Sequence, residues 1–321
     1  MNVHIYQIWY DEKSRPDENS GIEAFDCRDK PEFLKREIAH LIRFYDEIVK
    51  HADNDCYFAL FSPRFNEKTG LTIKQVKDFV SNNPNQDIYL FNPFPMHVYL
   101  DMNVWEHGER RHTGLKQLTQ YLFDAAGVDF DINTKHRNNI NNTVYCNYWV
   151  ASKPFLDHFI SFVKKLDSTI NSMPKHERDW YFVETTYHTK ASFYPFLFER
   201  LISYFLLLNN NYHAQPYIYS SNSILIKKTK RIDKIFYLNG YREKFDELEK
   251  DIDNIEHLEK VFLLIRKTLR PDISIFPFKF LNRLGNSLLK RINLWRMKKI
   301  LNKINSFSKN TRQVATNNQN Q

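Results

Sequence analysis

Strand-like and helix-like segments alternate through the first part of the chain, and this alternation limits the possible folds more than any other feature. Strands are predicted from short apolar runs that end in polar turns, at residues 3–9, 56–61 and 87–91. Apolar residues recur at helical spacing over 32–50 and 73–81, and Thr72 stands where it would cap the second helix. This order of elements is typical of an α/β fold with a mainly parallel sheet.

The next part of the chain continues the alternation. Helices are predicted over residues 114–125 and 154–170, with a strand over 144–151 between them and a closing strand over 216–226. Two stretches are predicted to be irregular: 131–143 and 173–190. The sequence contains no internal repeat, and its length suits one large domain with an appendage or two domains.

The residues that follow the predicted strands matter, because ligands of open α/β sheets bind beyond the carboxyl ends of strands. These residues are Tyr10 and Asp11, Ser62 and Arg64, and Asn92 and Phe94. Arg64 and Lys68 place two cations beside one such end, where they could neutralise a diphosphate leaving group without a metal. The alternative is a surface turn whose charges are simply solvated.

A charge pair, Glu199 and Arg200, interrupts the apolar run FYPFLFERLISYFLLL at residues 193–208. Charged side chains are rarely buried without a partner, because desolvating a lone ion is costly. The pair therefore either forms a structural ion pair that anchors one helix or faces an active-site cleft. Asn147, within the aromatic run YCNYW, is another polar group that we expect to be buried and to need partners.

Composition argues against several classes of protein. The chain has 321 residues but only 7 glycines, and it contains neither GxGxxG nor GxxxxGK[ST], which argues against Rossmann-type and P-loop nucleotide binding. Its three cysteines, Cys27, Cys56 and Cys146, lack metal-ligand spacing and fit a reducing compartment. No segment resembles a signal peptide or a membrane span, so we expect a cytoplasmic protein.

Positive charge is concentrated towards the end of the sequence. Residues 266–312 contain 13 lysines and arginines against one acid, Asp272, whereas the rest of the chain is mildly acidic. Apolar residues of this segment fall on one face of a predicted helix: Leu281, Leu284, Leu288, Ile292 and Trp295. Such a helix suits an anionic membrane interface. Packing of the apolar stripe on the domain and binding to nucleic acid are the two alternatives.

Candidates for metal binding are few. Asp101, in the triplet DMN at 101–103, could share Mg²⁺ or Mn²⁺ with a diphosphate, although a turn-capping role suits a single carboxylate better. Asp129 and Asp131 form a D-x-D pair, but they precede an Asn-rich loop and not an obvious strand end.

Six motifs follow one another in order between residues 3 and 210: IYQIWYDE, CYFALFSPRFNEKTGL, DIYLFNPFP, NVWEHGERRHTGL, YCNYWVASKPF and YPFLFERLISYFL. Their order and spacing resemble bacterial surface-polysaccharide glycosyltransferases of the GT-A type, which assemble capsule or lipopolysaccharide glycans. An N-x-[WF]-[VI]-x-[SP]-K element followed by an F-x-E-R-[LI] helix resembles the galactosyltransferase-type members in particular.

The resemblance implies a nucleotide-diphosphate-sugar donor bound over the first strand ends and a glycan or lipid-linked glycan acceptor near the helix that holds Glu199. The donor contacts that it implies are Gln7, Tyr10, Ser62, Arg64, Lys68 and Asn92. The acceptor contacts are Asn147 and Trp149, and the catalytic residues are Glu199 and Arg200. Glu199 would act as the general base for the acceptor hydroxyl. Many such enzymes use a D-x-D metal site, for which Asp101 is the nearest candidate here.

The predicted organisation is a GT-A-like catalytic domain over 1–243, a helical extension with the basic amphipathic segment over 244–305 and a disordered tail over 306–321. The predicted function is sugar transfer to a growing surface glycan at the inner face of the membrane, with residues 266–305 contacting anionic lipid. The alternative is a non-catalytic adaptor that binds nucleic acid or a membrane.

Overall fold

The computed structural model describes residues 2–17, 20–30, 34–185, 191–251 and 255–270, and also residues 291, 292, 295 and 298. The described residues form two compact units, one within Met1–Val98 and Asn103–Tyr219 and the other within Tyr99–Met102 and Ser220–Gln321. The predicted boundary between residues 243 and 244 lies inside the second unit. The predicted tail, 306–321, lies outside the described residues.

A mixed sheet organises the first unit. Its strands are β1 (Asn2–Trp9), β2 (Glu23–Asp26), β3 (Cys56–Phe61), β4 (Ile88–Leu90), β5 (Trp149–Ser152) and β6 (Ala214–Pro216). They lie in the order β2-β1-β3-β5-β4-β6. β5 is antiparallel to both of its neighbours, and the other pairings are parallel. The predicted α/β class is confirmed as a mixed α/β fold with a mostly parallel six-stranded sheet.

Both units contain helices. In the first unit they are α1 (Glu37–Glu47), α2 (Phe65–Thr69), α3 (Ile73–Asn82), α4 (Val104–Arg111), α5 (Leu115–Ala125), α6 (Lys153–Ser172), α7 (Lys175–Trp180), α8 (Phe193–Phe198) and α9 (Leu201–Leu208). In the second unit they are α10 (Ile224–Lys228), α11 (Arg231–Leu238), α12 (Tyr241–Asp251) and α13 (Ile255–Leu269). Short 3₁₀ turns occur at Glu12–Ser14, Val49–His51 and Pro95–Tyr99.

The predicted cap of α3 is confirmed. Thr72 accepts a hydrogen bond of 3.2 Å from the backbone N–H of Gln75, and the Gln75 side chain accepts one of 2.9 Å from the backbone N–H of Thr72. This reciprocal pair satisfies two N–H groups that have no partner inside the helix, so the helix begins at Ile73.

Three predicted boundaries are wrong. The closing strand 216–226 does not form: β6 ends at Pro216, and the polar residues before Ile224 lead into α10, for which Ser223 is the N-cap. The strand predicted at 144–151 begins only at Trp149, because left-handed backbone conformations just before it do not fit a strand. The run 193–208 forms two helices, with Glu199 and Arg200 in the turn between them.

The core of the first unit lies against β5 and α6. All four residues of β5 are buried, as expected for a strand paired on both sides. Trp149 packs edge-to-face on Phe159 of α6 with ring centroids 6.1 Å apart, and Phe159 in turn packs on Phe205 of α9. Burying each such side chain contributes about 1.5–3 kcal/mol to folding.

An ion pair and an aromatic contact stabilise the second unit. Nη1 and Nη2 of Arg270, which is partly exposed, each lie 2.7 Å from a carboxylate oxygen of buried Asp233. Phe245 of α12 packs edge-to-face on Phe262 of α13 at 5.1 Å.

The predicted basic segment is described only in part. Ile292 and Trp295 have helical backbone and exposed side chains, whereas Leu281, Leu284 and Leu288 lie outside the described residues. Across the part of the chain that the structure describes, no helix combines the length and apolarity needed to cross a membrane.

Candidate functional site

One edge of the sheet collects the residues predicted to bind the donor. β1, β3 and β4 all run in the same direction, so their carboxyl ends meet at this edge. β5 runs the opposite way, and therefore the segment that leads into it, residues 146–148, arrives at the same edge. The edge thus combines the ends of three strands with the beginning of a fourth.

The chain also changes direction at this edge. From β1 it passes to β2 on one side, and after α1 it returns to β3 on the other side of β1. Ligands of open α/β sheets bind in the crevice that forms at such a switch point. Here the switch point lies between the residues after β1 and the residues 62–68 after β3, and we call this region the switch-point crevice.

Lys68, Cys146 and Glu199 come together at this crevice from three separate parts of the chain. Lys68 Nζ lies 3.2 Å from Cys146 Sγ, and the backbone N–H of Cys146 donates a hydrogen bond of 2.7 Å to Glu199 Oε1. Cys146 is buried, whereas the Glu199 side chain keeps 22% of its surface exposed. The carboxylate can therefore contact a ligand while it holds the loop.

The loop that receives this hydrogen bond has an uncommon backbone. Cys146 and Asn147 both have positive φ, 64° and 54°, in the left-handed region that few residues other than glycine adopt. Asn147 is buried, with 8% of its surface exposed. Strained backbone of this kind persists where the surrounding structure holds it and is frequent at functional sites. The bond to Glu199 is one such restraint.

A second carboxylate, Glu37 in the first turn of α1, lies within electrostatic range of Lys68 and Glu199. Burial is the largest cause that raises the pKa of Glu37 to about 7; Lys68 opposes the rise and Glu199 adds to it. Burial also raises the pKa of the Cys146 thiol, which stays protonated at neutral pH. For Lys68, burial alone would lower the pKa, but Cys146 and the two carboxylates outweigh it and the pKa is raised.

Ser62 and Arg64 border the same crevice. The Ser62 hydroxyl lies 2.8 Å from the Tyr148 hydroxyl, so it links the end of β3 to the beginning of β5. Arg64 is largely exposed and donates two hydrogen bonds, of 2.9 and 2.8 Å, to the Glu67 carboxylate. The guanidinium therefore has a local partner that a ligand phosphate would have to displace.

The other predicted donor contacts occupy neighbouring strand ends. Gln7, near the end of β1, donates a hydrogen bond of 2.8 Å to the Ser14 carbonyl. Tyr10 is exposed just beyond β1. Asn92 is buried beyond β4, where it donates to the Thr143 carbonyl at 3.3 Å. The hydrogen bonds of Gln7 and Asn92 tie loops to the sheet, while Tyr10 is accessible to a ligand.

The structure places Arg200 and Trp149 away from any accessible surface. Arg200 is 2% exposed; its Nε donates to the Val104 carbonyl at 3.0 Å and another nitrogen donates to the Phe196 carbonyl. Trp149 is 1% exposed in the core. We therefore correct both expectations: Arg200 holds α4 against the turn between α8 and α9, and Trp149 packs the sheet, because neither can reach a substrate.

Two buried histidines, one in α4 and one at its C-terminal cap, accompany Arg200. His107 Nδ1 lies 3.3 Å from a guanidinium nitrogen of Arg200, and the His112 ring stacks on Phe196 with centroids 3.7 Å apart. Burial, followed by the charge of Arg200, strongly lowers the pKa of His107 and lowers that of His112 to about 4. Both rings are therefore neutral at physiological pH.

The expectation of a metal at Asp101 finds no support in the ligand geometry. Asp101 is buried in the second unit, 4.0 Å from Arg266, and Asn103 of the same triplet caps α4 by accepting from two backbone N–H groups. Asp131 accepts from the backbone N–H of Asn133 in a local turn. No three His, Cys, Asp or Glu side chains come together as a metal-binding group among the residues with assigned positions.

Comparison with known proteins identifies no relative. No protein-family model matches the chain, and neither a curated protein nor a solved structure shows significant similarity to it.

Sequence reasoning missed Glu37 and Cys146 as members of the cluster. Glu37 belongs to an ordinary amphipathic helix, and its sequence neighbours show no pattern that separates it from a solvated acid. Cys146 lies beside Asn147, which did attract attention as a polar residue in an aromatic run. The expected burial of the run YCNYW was the signal available in the sequence. Cys146 belongs to that run and is buried as well.

Proposed function

We propose that the protein is a glycosyltransferase that binds a nucleotide-diphosphate sugar at the carboxyl edge of its sheet. The observation that carries the proposal is the position of Lys68, a partly buried ammonium at the switch-point crevice, flanked by Glu37 and Glu199. Its ammonium is held 3.2 Å from Cys146 Sγ and within electrostatic range of both carboxylates. Charged groups gathered in this way at a strand-end site favour a role towards substrate.

Lys68 is the proposed partner of the diphosphate. An ammonium stabilises the negative charge that develops on a departing nucleoside diphosphate, and burial strengthens this interaction. Arg64 would add a second cation if phosphate replaces Glu67 as its partner, and the Ser62 hydroxyl lies at the same strand end. These residues allow leaving-group stabilisation by side chains.

Glu199 is the proposed base for the acceptor hydroxyl. Its partly exposed carboxylate lies at the crevice, and its bond from the Cys146 N–H fixes its orientation. Glu37, whose pKa lies near neutral, is a second carboxylate of the cluster and can bind or release a proton at physiological pH.

The acceptor class rests on the sequence resemblance alone. By that resemblance the acceptor is a growing capsule or lipopolysaccharide glycan, and the basic segment 266–305 keeps the enzyme at the inner face of the membrane. Vesicles with anionic lipid provide the test: the full chain should sediment with them, and a chain ending at residue 270 should not.

Nucleotide binding tests the proposal directly. A ligand that binds the native state raises the melting temperature by mass action, so UDP, GDP or CMP at millimolar concentration should stabilise the protein. A panel of nucleotide sugars, scored for hydrolysis and transfer, then identifies the donor. If no nucleotide shifts the melting temperature and no sugar is released, the proposal fails and the non-catalytic adaptor becomes the better account.

A further inference from the structure

Two adjoining cavities in the first unit lie outside the cluster around Lys68. One, of about 650 Å³, is lined mainly by polar side chains of α4, α5 and the loop after α5. The other, of about 510 Å³, is lined mainly by apolar and aromatic side chains of α5, α7 and α8. They share Gly114, Gln117 and Tyr121, so they form one continuous groove, and each has the volume of a small-ligand site.

Two aromatic rings stand exposed in this groove. Trp180 is 45% exposed and Tyr121 39% exposed, with ring centroids 5.6 Å apart and an interplanar angle of 65°. The Tyr121 hydroxyl donates a hydrogen bond of 2.6 Å to Glu177, which fixes the ring. Large aromatic side chains are usually buried, and neighbouring exposed ones mark binding surfaces.

Hydrogen-bonding groups lie directly beside the rings. Gln117 is exposed and lines both cavities, while Asp124 and Asn133 line the polar one. Glu109 is held in place because its two carboxylate oxygens accept from the backbone N–H groups of Gly114 and Lys116, at 2.8 and 2.9 Å. The groove therefore combines aromatic faces with amide and carboxylate groups and has little net charge.

From this combination we propose that the groove binds a neutral oligosaccharide chain. A sugar ring has an apolar C–H face, which packs on an aromatic ring, and an edge of hydroxyls, which pair with amides and carboxylates. A purely apolar partner would leave the polar half of the groove unmatched. An anionic one would meet two carboxylates, Glu109 and Asp124, against one ammonium, Lys116. The proposal concerns binding only and does not depend on the proposed transferase activity.

The position of α8 relates the groove to Glu199. Phe193, the first residue of α8, lines the apolar cavity, and Glu199 follows the last residue of the same helix. At about 1.5 Å per residue the two positions are about 9 Å apart along the axis. One short helix therefore connects the groove to the carboxylate that we propose as the base.

Titration of the full chain with maltohexaose, cellohexaose, chitohexaose and a galactan hexasaccharide tests the inference, with calorimetry as the readout. At least one should bind saturably in the millimolar range or tighter. Trp180→Ala should weaken that binding about tenfold and Trp180→Phe less, because the phenyl ring keeps part of the contact. Leu208→Ala is the control, at an exposed apolar residue of the same unit that does not line the groove, and should leave binding unchanged.

Gln117→Ala provides a second variant, since an exposed helix position tolerates alanine without loss of fold. It should weaken binding by at least a fewfold. Failure of every oligosaccharide to bind at about 10 mM, or binding that neither variant alters, would overturn the inference. Binding that depends on Trp180 in a protein that binds no nucleotide would support the groove and reject the transferase. Nucleotide binding without any oligosaccharide binding would support the transferase and reject the groove.

Discussion

Glu199 Oε1 accepts a hydrogen bond of 2.7 Å from the backbone N–H of Cys146, and this bond joins the turn after α8 to the loop before β5. The two groups are separated by more than fifty residues in the sequence. Glu199 therefore has a structural role whether or not it takes part in a reaction, and the substitutions used to test it must separate the two roles.

Glutamine and alanine at position 199 should separate them. Glu199→Gln keeps an oxygen that can accept from Cys146, so the free energy of unfolding should change little, while turnover falls by about a hundredfold or more if the carboxylate is the base. Glu199→Ala leaves a buried N–H without its acceptor and should cost about 1–3 kcal/mol of stability. Urea denaturation and a transfer assay measure the two effects. Glu47→Gln, at an exposed acid, is the control, and full activity of Glu199→Gln would exclude the catalytic role.

Lys68→Met should remove the shift in melting temperature that a nucleoside diphosphate causes, because it deletes the proposed diphosphate partner and keeps an apolar stem of similar length. Lys74→Met is the matched control: Lys74 is 82% exposed on α3, where it pairs with Asp78. Equal nucleotide binding by the two variants would show that Lys68 does not contact the ligand.

Glu37 should make stability depend on pH. Its pKa is raised in the folded state from 4.5 to about 7, so the folded protein holds this proton more tightly than the unfolded chain does. Stability from this group is fully present below pH 4.5 and is lost as pH rises to about 7. The loss should be about 1–2 kcal/mol, less than the full shift implies, because the side chain is partly exposed and Lys68 and Arg36 offset the charge.

Glu37→Gln measures that contribution, because the amide does not titrate. Denaturation between pH 4 and pH 8 should show a smaller decrease in stability for the variant than for the parent protein. Identical pH profiles would mean that Glu37 is solvated as an ordinary surface acid.

Arg200→Met should destabilise the protein by about 3 kcal/mol or more, since it leaves the Val104 and Phe196 carbonyls without their donor in the interior. Arg111→Met, at an exposed position of α4, should have a small effect and serves as the control. If Arg200→Met unfolds normally but loses activity, the role in packing that we assign to this guanidinium is wrong.

Gly108→Ala should also destabilise the protein, although alanine favours a helix by about 1 kcal/mol. A Cβ at this position would lie 2.5 Å from a methyl group of Leu115 and 2.7 Å from Arg200 Nε, and the guanidinium has little room to move. Thermal denaturation shows directly whether the substitution lowers or raises the stability of the protein. A stabilised Gly108→Ala variant would show that this contact relaxes easily.

Local signals predicted the sheet strands that carry long apolar runs, β1 and β3, and the capped helix α3. They did not predict β2, in which only Phe25 is buried, because one buried residue in four makes neither an alternation nor an apolar run. They predicted one helix where α8 and α9 form, because a charge pair in an apolar run does not by itself mark a helix end.

In the candidate site, too, some residues could be located from local sequence signals and others could not. Ser62, Arg64 and Lys68 could be located because they follow a strand, and strand ends are visible in the sequence. Arg200 could not be separated from Glu199, since their charged groups pair at 3.8 Å and only tertiary packing decides which side chain is buried. Glu37 contributes through its distance to Lys68, a property that no local pattern encodes.

β5 is the only element that joins the two halves of the sheet, because it pairs with β3 on one side and β4 on the other within the described residues. Bringing it between them closes long loops, which is slow and costs chain entropy. We therefore expect the crevice to be assembled late in folding, when this strand inserts and carries Cys146 to Lys68. A partly folded chain would then bind no ligand there, so ligand binding would report on completion of the fold.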